Sequence, residues 1–283
     1  MEAGADWFEF ARDAQSGTEA VRARFHAHAY DPHFHDQVLV GITERGVQQF
    51  RCRRQVHRST PGRLIFFEPG ETHDGEAYEA AGFVYAMLYF DPHWLRDAAA
   101  LYTGRNTGER VFHFPRTLDD DTGLAQAIRR ACRQIARPDS RMARDAALDG
   151  VVAILAHRFA GGAATGAMRA PRMARLAREA IDAGFDRPDL GLEDLASLAG
   201  TDRFRLSRAF AGAYGLAPHA YLVQRRLNRA RSLLAGGDTP ADVAAATGFS
   251  DQSHMGRWFR RAFGMTPAAY RRLCTNLPDP GGT

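Results

Sequence analysis

The chain of 283 residues contains no lysine; all 37 of its basic residues are arginine. Every basic contact therefore comes from a guanidinium. An arginine bias of this kind follows codon usage in GC-rich coding DNA, so no function is read into it. Cysteine is scarce: Cys52, Cys132 and Cys274 lie far apart and form no C-x-x-C pair. That spacing argues against a disulfide framework and against a cysteine-based zinc site. No apolar run approaches the roughly 20 residues needed to span a bilayer. The opening residues, MEAGADWFEFARDA, lack a basic segment followed by an apolar core, so no signal peptide is predicted. No nucleophile with a partnered base and no glycine-rich phosphate loop is visible. The expectation is a soluble, cytoplasmic protein with no membrane partner, no cofactor and no catalytic residues, hence not an enzyme.

Length favours two domains, and the charge is divided unevenly between them. Residues 1–165 carry 20 arginines against 22 acidic residues, net −2; residues 166–283 carry 17 against 11, net +6. The small, featureless run Gly161-Gly162-Ala163-Ala164-Thr165-Gly166 reads as a linker. The domains are therefore placed at 1–165 and 166–283.

The positive half writes one unit twice. The first copy is LEDLASLAGTDRFRLSRAFAGAYGLAPHAYL and the second PADVAAATGFSDQSHMGRWFRRAFGMTPAAYR. In each, a small residue (Ala196, Ala244) stands four before a glycine (Gly200, Gly248). A helical run ending on phenylalanine follows, and then F-x4-G-[L/M]-x-P-x2-Y. Phe210, Gly215, Leu216, Pro218 and Tyr221 match Phe259, Gly264, Met265, Pro267 and Tyr270. Each copy has the pattern of a helix-turn-helix. A short helix (Leu192 to Leu198 in the first copy) packs through its alanine, and glycine makes the turn. The next helix starts on good N-cap residues, Thr201-Asp202 and Ser250-Asp251. Leu206, Ala209, Phe210 and Ala213 then face inward, as do Met255 and Phe259 in the second copy.

The outward faces carry Arg203, Phe204, Ser207 and Arg208 in the first unit. In the second they carry Gln252, Ser253, His254, Arg257, Arg260 and Arg261. Such a face suits a helix in the DNA major groove, where arginine pairs with guanine, glutamine with adenine and serine with either. Arg225, Arg226, Arg260 and Arg261 are expected on phosphates. Pro218 to Leu234 is predicted as a connecting helix of about 25 Å, able to set two recognition helices one turn of duplex apart. A helix over about Pro171 to Ala183 opens the domain.

The segments Gly248-Phe249-Ser250-Asp251-Gln252-Ser253 and Gly264-Met265-Thr266-Pro267-Ala268-Ala269-Tyr270-Arg271 resemble the signature of AraC/XylS transcription regulators. The likeness covers about the last third of the chain. It implies sequence-specific promoter binding governed by a small-molecule effector, with a ligand shifting how two DNA-binding domains of a homodimer are arranged, and RNA polymerase as a further partner.

The first half reads differently. Val38 to Ile42, Val47 to Phe50, Leu64 to Phe67 and Phe83 to Tyr89 are β-branched and aromatic runs. They are punctuated by Arg45-Gly46, Pro61-Gly62 and Pro69-Gly70. This spacing predicts an antiparallel double-sheet barrel or jelly roll of cupin type. The order His33-Phe34-His35, Pro61-Gly62-Arg63-Leu64, Pro69-Gly70-Glu71-Thr72-His73 resembles the sensor domain of sugar-responsive AraC-type regulators. Residues 1–20 are read either as an ordered arm or as a frayed end. Helices follow at Trp94 to Leu101, Leu124 to Ile135 and Arg141 to Phe159. The last two carry apolar stripes that can pair as a hairpin and leave an edge for a second subunit. The fold class is thus α+β: a cupin-like jelly roll with a helical hairpin, then an all-α domain of two helix-turn-helix modules joined by a long helix.

His33 and His35 stand two apart on a strand and project to one side. With His73 they offer three imidazoles to a divalent metal, as in cupin enzymes. The glutamate that usually follows in such sites is missing, since Leu39 and Val40 occupy those places. We therefore read His33, His35 and His73, with Tyr85 and Tyr89, as effector-binding residues and expect no metal. His26 and His28 form a second alternating pair. The rival reading is a metal-dependent cupin enzyme fused to a DNA-binding module.

Overall fold

A computed structural model of the chain describes residues 6–26, 29–103, 112–159 and 170–275. The linker at 161–166 and His28 lie outside them. Contacts divide the described residues into a β-rich unit, 6–26, 29 and 34–159, and a helical unit, 170–275 together with the short segment Tyr30–His33.

The first half of the chain runs through nine strands: β1 (Trp7–Arg12), β2 (Glu19–Phe25), β3 (Tyr30–His33), β4 (Val38–Gly46), β5 (Gln48–Cys52), β6 (Gln55–Ser59), β7 (Leu64–Phe67), β8 (His73–Ala77) and β9 (Phe83–Phe90). Then come α1 (Pro92–Thr103), a two-residue β10 (Leu118–Asp119), α2 (Thr122–Ala136) and α3 (Arg141–Phe159). One sheet has the order β1-β2-β9-β4-β7-β10 and the other β3-β8-β5-β6. This is the antiparallel double-sheet domain that the strand punctuation predicts. Of the two readings of the N-terminal segment the ordered one holds for its described part: Trp7 to Arg12 pair along their whole length with β2.

The larger sheet is buried on both faces, which is why its central strands are nearly continuous apolar runs. On one face Ala86, Leu88 and Phe90 of β9, Val38, Val40 and Ile42 of β4, and Leu64 and Phe66 of β7 join α1, α2 and α3 in one apolar core. The residues of opposite parity, Tyr85, Met87 and Tyr89 among them, point the other way. Gly41 lies directly across from Met87. A Cβ there would stand 2.4 Å from the Met87 sulfur and 2.8 Å from the Ala86 carbonyl, so only glycine admits that methionine.

Both helical stripes end in this core. Leu124, Ile128, Ala131, Cys132 and Ile135 of α2 are buried in it, as are Leu148, Val151, Val152, Leu155 and Phe159 of α3. The apolar edge expected for a second subunit is consumed by the domain's own sheet.

The helical unit comprises α4 (Arg172–Gly184), α5 (Leu192–Leu198), α6 (Arg203–Tyr214), α7 (Pro218–Gly236), α8 (Pro240–Ala246), α9 (Gln252–Phe263) and α10 (Pro267–Thr275). The sequence repeat is a structural repeat down to single hydrogen bonds. The turn after α5 closes with Thr201 N–H donating to the Ala196 carbonyl (3.0 Å); the turn after α8 closes with Phe249 N–H donating to the Ala244 carbonyl (3.1 Å). Both turns pass through a left-handed glycine, Gly200 at φ +65° and Gly248 at φ +74°. The trailing motif has an equally plain cause. Phe210 meets Tyr221 edge-on at 5.4 Å between ring centroids, and Phe259 meets Tyr270 the same way at 5.6 Å. Each pair ties a recognition helix to the helix after it.

Candidate nucleic-acid interface and ligand pocket

Each recognition helix starts on a carboxylate. The Asp202 side chain accepts from the amides of Phe204 and Arg205, both at 2.9 Å, and Asp251 accepts from the His254 amide at 2.7 Å. These bonds satisfy amides that the first turn of a helix leaves unpaired. They also hold both carboxyls below the usual aspartate value. For Asp202 the Arg205 amide contributes most, and for Asp251 the His254 amide.

On α6 only Leu206 and Phe210 are buried. Arg203, Phe204 and Arg208 are exposed, and Ser207 is half-buried beside them. Phe204 is 65% exposed, a large apolar ring in water under the Arg203 guanidinium, which also reaches Glu193 at 3.1 Å. Arg205, absent from the sequence-based set, is exposed on the same first turn. Its position could have been read from helical spacing, since it lies three before Arg208.

On α9, Met255 and Phe259 face inward, while Gln252, Ser253, Arg257, Arg260 and Arg261 are exposed. Gln252, Ser253, Arg257 and Arg260 line one concavity with Pro240 and Thr266. His254 is different: both ring nitrogens are engaged inside the module. Trp258 Nε1–H donates to its Nε2 at 3.0 Å, and its Nδ1 lies 3.0 Å from the Ser250 hydroxyl. Its ring also stands edge-on against Phe249. His254 thus braces the start of α9.

Two of the arginines expected on phosphates are used internally. Arg226 donates through Nε to the Phe185 carbonyl (2.7 Å) and through Nη2 to that of Arg187 (2.8 Å). Arg225 lies 2.9 Å from Asp182, which also accepts from the Tyr221 hydroxyl at 3.1 Å. Arg226 locks the segment between α4 and α5 to α7, and Arg225 ties α4 itself to α7. The phosphate assignment for them is corrected accordingly. Arg260 and Arg261 stay on the surface, Arg261 in an exposed ion pair with Asp31.

In the β-rich unit, His35 and His73 face each other with ring centroids 5.4 Å apart. His73 stacks on Phe67 at 3.7 Å, and the Tyr89 ring meets His35 edge-on at 5.4 Å. Tyr85 and Tyr89, four apart on β9, share the sheet face that Tyr85 packs against Phe25. Burial of its hydroxyl drives the Tyr89 pKa well above the ordinary phenol value, although part of its surface stays accessible. Three buried polar groups that sequence patterning passes over satisfy one another: Gln48 donates to Thr43 and Thr43 to Ser59, both at 2.7 Å. Cys52, cross-strand neighbour of His73, is a neutral wall, its thiol pushed up to about 12 mainly by burial.

His33 ends β3, with its Nδ1 2.7 Å from the Asp31 carbonyl. The acids just before His73 are committed elsewhere. Glu71 and Glu68 are bound by Arg53 at 2.5 and 3.1 Å, and Glu68 also accepts from the Phe114 amide at 2.8 Å.

Comparison with known proteins matches each unit separately. Residues 15–152 match the profile of an AraC-like ligand-binding domain and residues 195–273 that of a helix-turn-helix domain. The chain is 26% identical to the uncharacterized HTH-type transcriptional regulator YbfI of Bacillus subtilis over 84% of this chain and 85% of that protein. It is 33% identical to the transcriptional activator NphR of Rhodococcus over 75% of this chain and 65% of that one. Among solved structures it resembles apo ToxT from Vibrio cholerae, with a TM-score of 0.56 at 11% identity over 93% of this chain and all of that one. A fatty-acid-bound ToxT structure gives 0.53 over 99% of each chain. At such low identity the likeness speaks for the fold.

Proposed function

The chain belongs to the AraC family of transcription regulators, and from that premise we propose how its two units divide the work. The helical unit binds promoter DNA through α6 and α9, and the β-rich unit senses a small molecule in its interior. The carrying observation is the doubled module. Two equivalent turns, two aspartate-capped helices and two phenylalanine–tyrosine anchors present two outward faces rich in arginine. A single such face is common; two joined by one helix suit successive major grooves.

In this reading Phe204 meets a thymine methyl, and Ser207, Arg208, Gln252, Ser253 and Arg257 meet base edges. Arg203, Arg205, Arg260 and Arg261 serve the backbone. His254 contributes by fixing the first turn of α9. The effector sits among His35, His73, Tyr85 and Tyr89. A ToxT structure holds an unsaturated fatty acid, which supports a small-molecule ligand for a chain of this fold, while the polar residues here point to a different ligand chemistry. The protein acts in the cytoplasm, where promoter DNA is, and a regulator rather than an enzyme is the reading that the regulatory relatives support. Homodimerisation belongs to the proposal too; sedimentation showing only monomer at micromolar concentration refutes it.

Selection of bound fragments from random DNA tests the core of this reading. Enrichment of one bipartite motif is expected. Uniform recovery of all sequences by folded protein sinks it.

A further inference from the structure

We propose that the first helix-turn-helix module is a methyl reader: Phe204 recognises the C5-methyl group of a pyrimidine in the major groove and takes 5-methylcytosine as readily as thymine. Binding to a promoter then depends on cytosine methylation wherever a cytosine stands at that one base pair. This rests on α6 lying in the major groove, and it deepens that reading by naming the chemical group that one side chain requires.

Three observations carry the assignment. First, among the described residues Phe204 is the one phenylalanine that is exposed, at 65%. It stands second in α6, at the end of a recognition helix from which base edges are reached.

Second, the ring is held in place. The Asp202 carboxylate accepts from the Phe204 amide at 2.9 Å, which fixes the backbone there. The Arg203 guanidinium lies over the ring, 4.8 Å from its centroid, and is itself tied to Glu193 on α5 at 3.1 Å. A cation over one face is attracted by the ring's quadrupole. The side chain is therefore ordered before it meets DNA and loses little freedom on binding. Third, the module folds without a ring at this place. The equivalent residue of the second module is Ser253, with Gln252 in the place of Arg203. The two modules share turn, cap and anchor and differ here, where only recognition is at stake.

The chemistry of the ring selects what it reads. A phenylalanine side chain has no hydrogen-bonding group, so it cannot tell the O4 acceptor of thymine from the N4 donor of cytosine. What it gains is burial of apolar surface, and on the major-groove edge of a pyrimidine the C5-methyl group supplies that surface. Thymine always carries this group; cytosine carries it only when methylated. Burying one such carbon contributes about 0.8 kcal/mol, a factor of about four in affinity.

The test uses the full-length protein and a duplex site obtained by selection from random DNA. Each thymine in turn is replaced by uracil, which removes the methyl group and keeps the pairing. One position, in one half of the site, is expected to lose about fourfold in affinity. Phe204→Ala should be indifferent to the methyl group there and respond as the wild type does elsewhere, while Phe204→Leu, still apolar, should keep the response. At the same position a cytosine–guanine pair should bind the wild type about fourfold more weakly than its 5-methylcytosine counterpart, and the two should bind Phe204→Ala equally. The proposal is overturned if no position shows a methyl effect that Phe204→Ala abolishes, or if cytosine and 5-methylcytosine bind the wild type alike there. Selective binding without such a position removes the methyl reading alone and leaves promoter recognition standing. Recovery of no preferred sequence removes promoter recognition and this proposal with it.

Discussion

Gly200 and Gly248 occupy the same place in the two modules, which makes one molecule its own control. Both adopt left-handed backbone, so alanine at either costs about 1–2 kcal/mol from the contact of its Cβ with the following carbonyl. Their surroundings differ. Nothing lies within 4 Å of a Cβ built on Gly200; one on Gly248 would stand 2.6 Å from the Asp186 carbonyl oxygen and 2.8 Å from its carbon. Those atoms belong to the segment that Arg226 pins through the Phe185 and Arg187 carbonyls, so they yield poorly. Overpacking of this kind adds about 1–3 kcal/mol. Gly200→Ala is therefore predicted to destabilise by about 1–2 kcal/mol and Gly248→Ala by about 2–5 kcal/mol. Amide hydrogen exchange of the full-length protein, read over α5–α6 and α8–α9, reports each module separately. If Gly248→Ala lowers protection no more than Gly200→Ala does, the docking of the second turn on Asp186 is wrong.

Further outcomes follow for DNA and for pH. Arg208→Ala and Arg257→Ala should each cost about 1–3 kcal/mol in affinity and relax preference at one or two bases; an unchanged footprint removes the residue from the interface. Arg260→Gln should lower the slope of log affinity against log salt by about 1, and Arg226→Gln should leave that slope alone while lowering the unfolding temperature; equal slopes in the two variants refute the division. Asp202 and Asp251 titrate below the ordinary value of 3.8. Their contribution to stability is thus complete above that value and is lost as pH falls through the lower, folded-state pKa. The Asp202→Asn, Asp251→Asn double variant keeps an accepting oxygen and should flatten the acid limb of the unfolding curve; an unaltered limb contradicts the capping role.

What the sequence revealed follows from where each element's information resides. The helical unit was legible because its signals are local: Asp202 and Asp251 mark helix starts, two glycines mark turns, and the tandem copy confirms both. The predicted α3 and α5 match in their termini, and α7 runs two residues further than expected, to Gly236. Strands β4, β7 and β9 were visible because burial on two faces makes them apolar throughout. β2, in which Arg22 and Arg24 alternate with Val21, Ala23 and Phe25, the mostly exposed β6 and the largely half-buried β8 were hidden; β2 and β8 are placed by β9 and β5, partners distant in sequence. The apolar stripes of α2 and α3 were read correctly, but an apolar face does not say what covers it, and the sheet does. The roles of Arg225, Arg226 and His254 were illegible for a related reason: an arginine or histidine on an amphipathic helix looks the same whether it meets DNA or a neighbouring carbonyl.

The central claim is that α7, 19 residues and about 28 Å long, holds two reading helices at a fixed separation matching successive turns of duplex. Inserting about 5 base pairs between the two halves of a selected site turns one half to the opposite face of the DNA. The account predicts that affinity for that fragment falls to the level of a fragment carrying one half alone. Undiminished binding to the inserted site would contradict it.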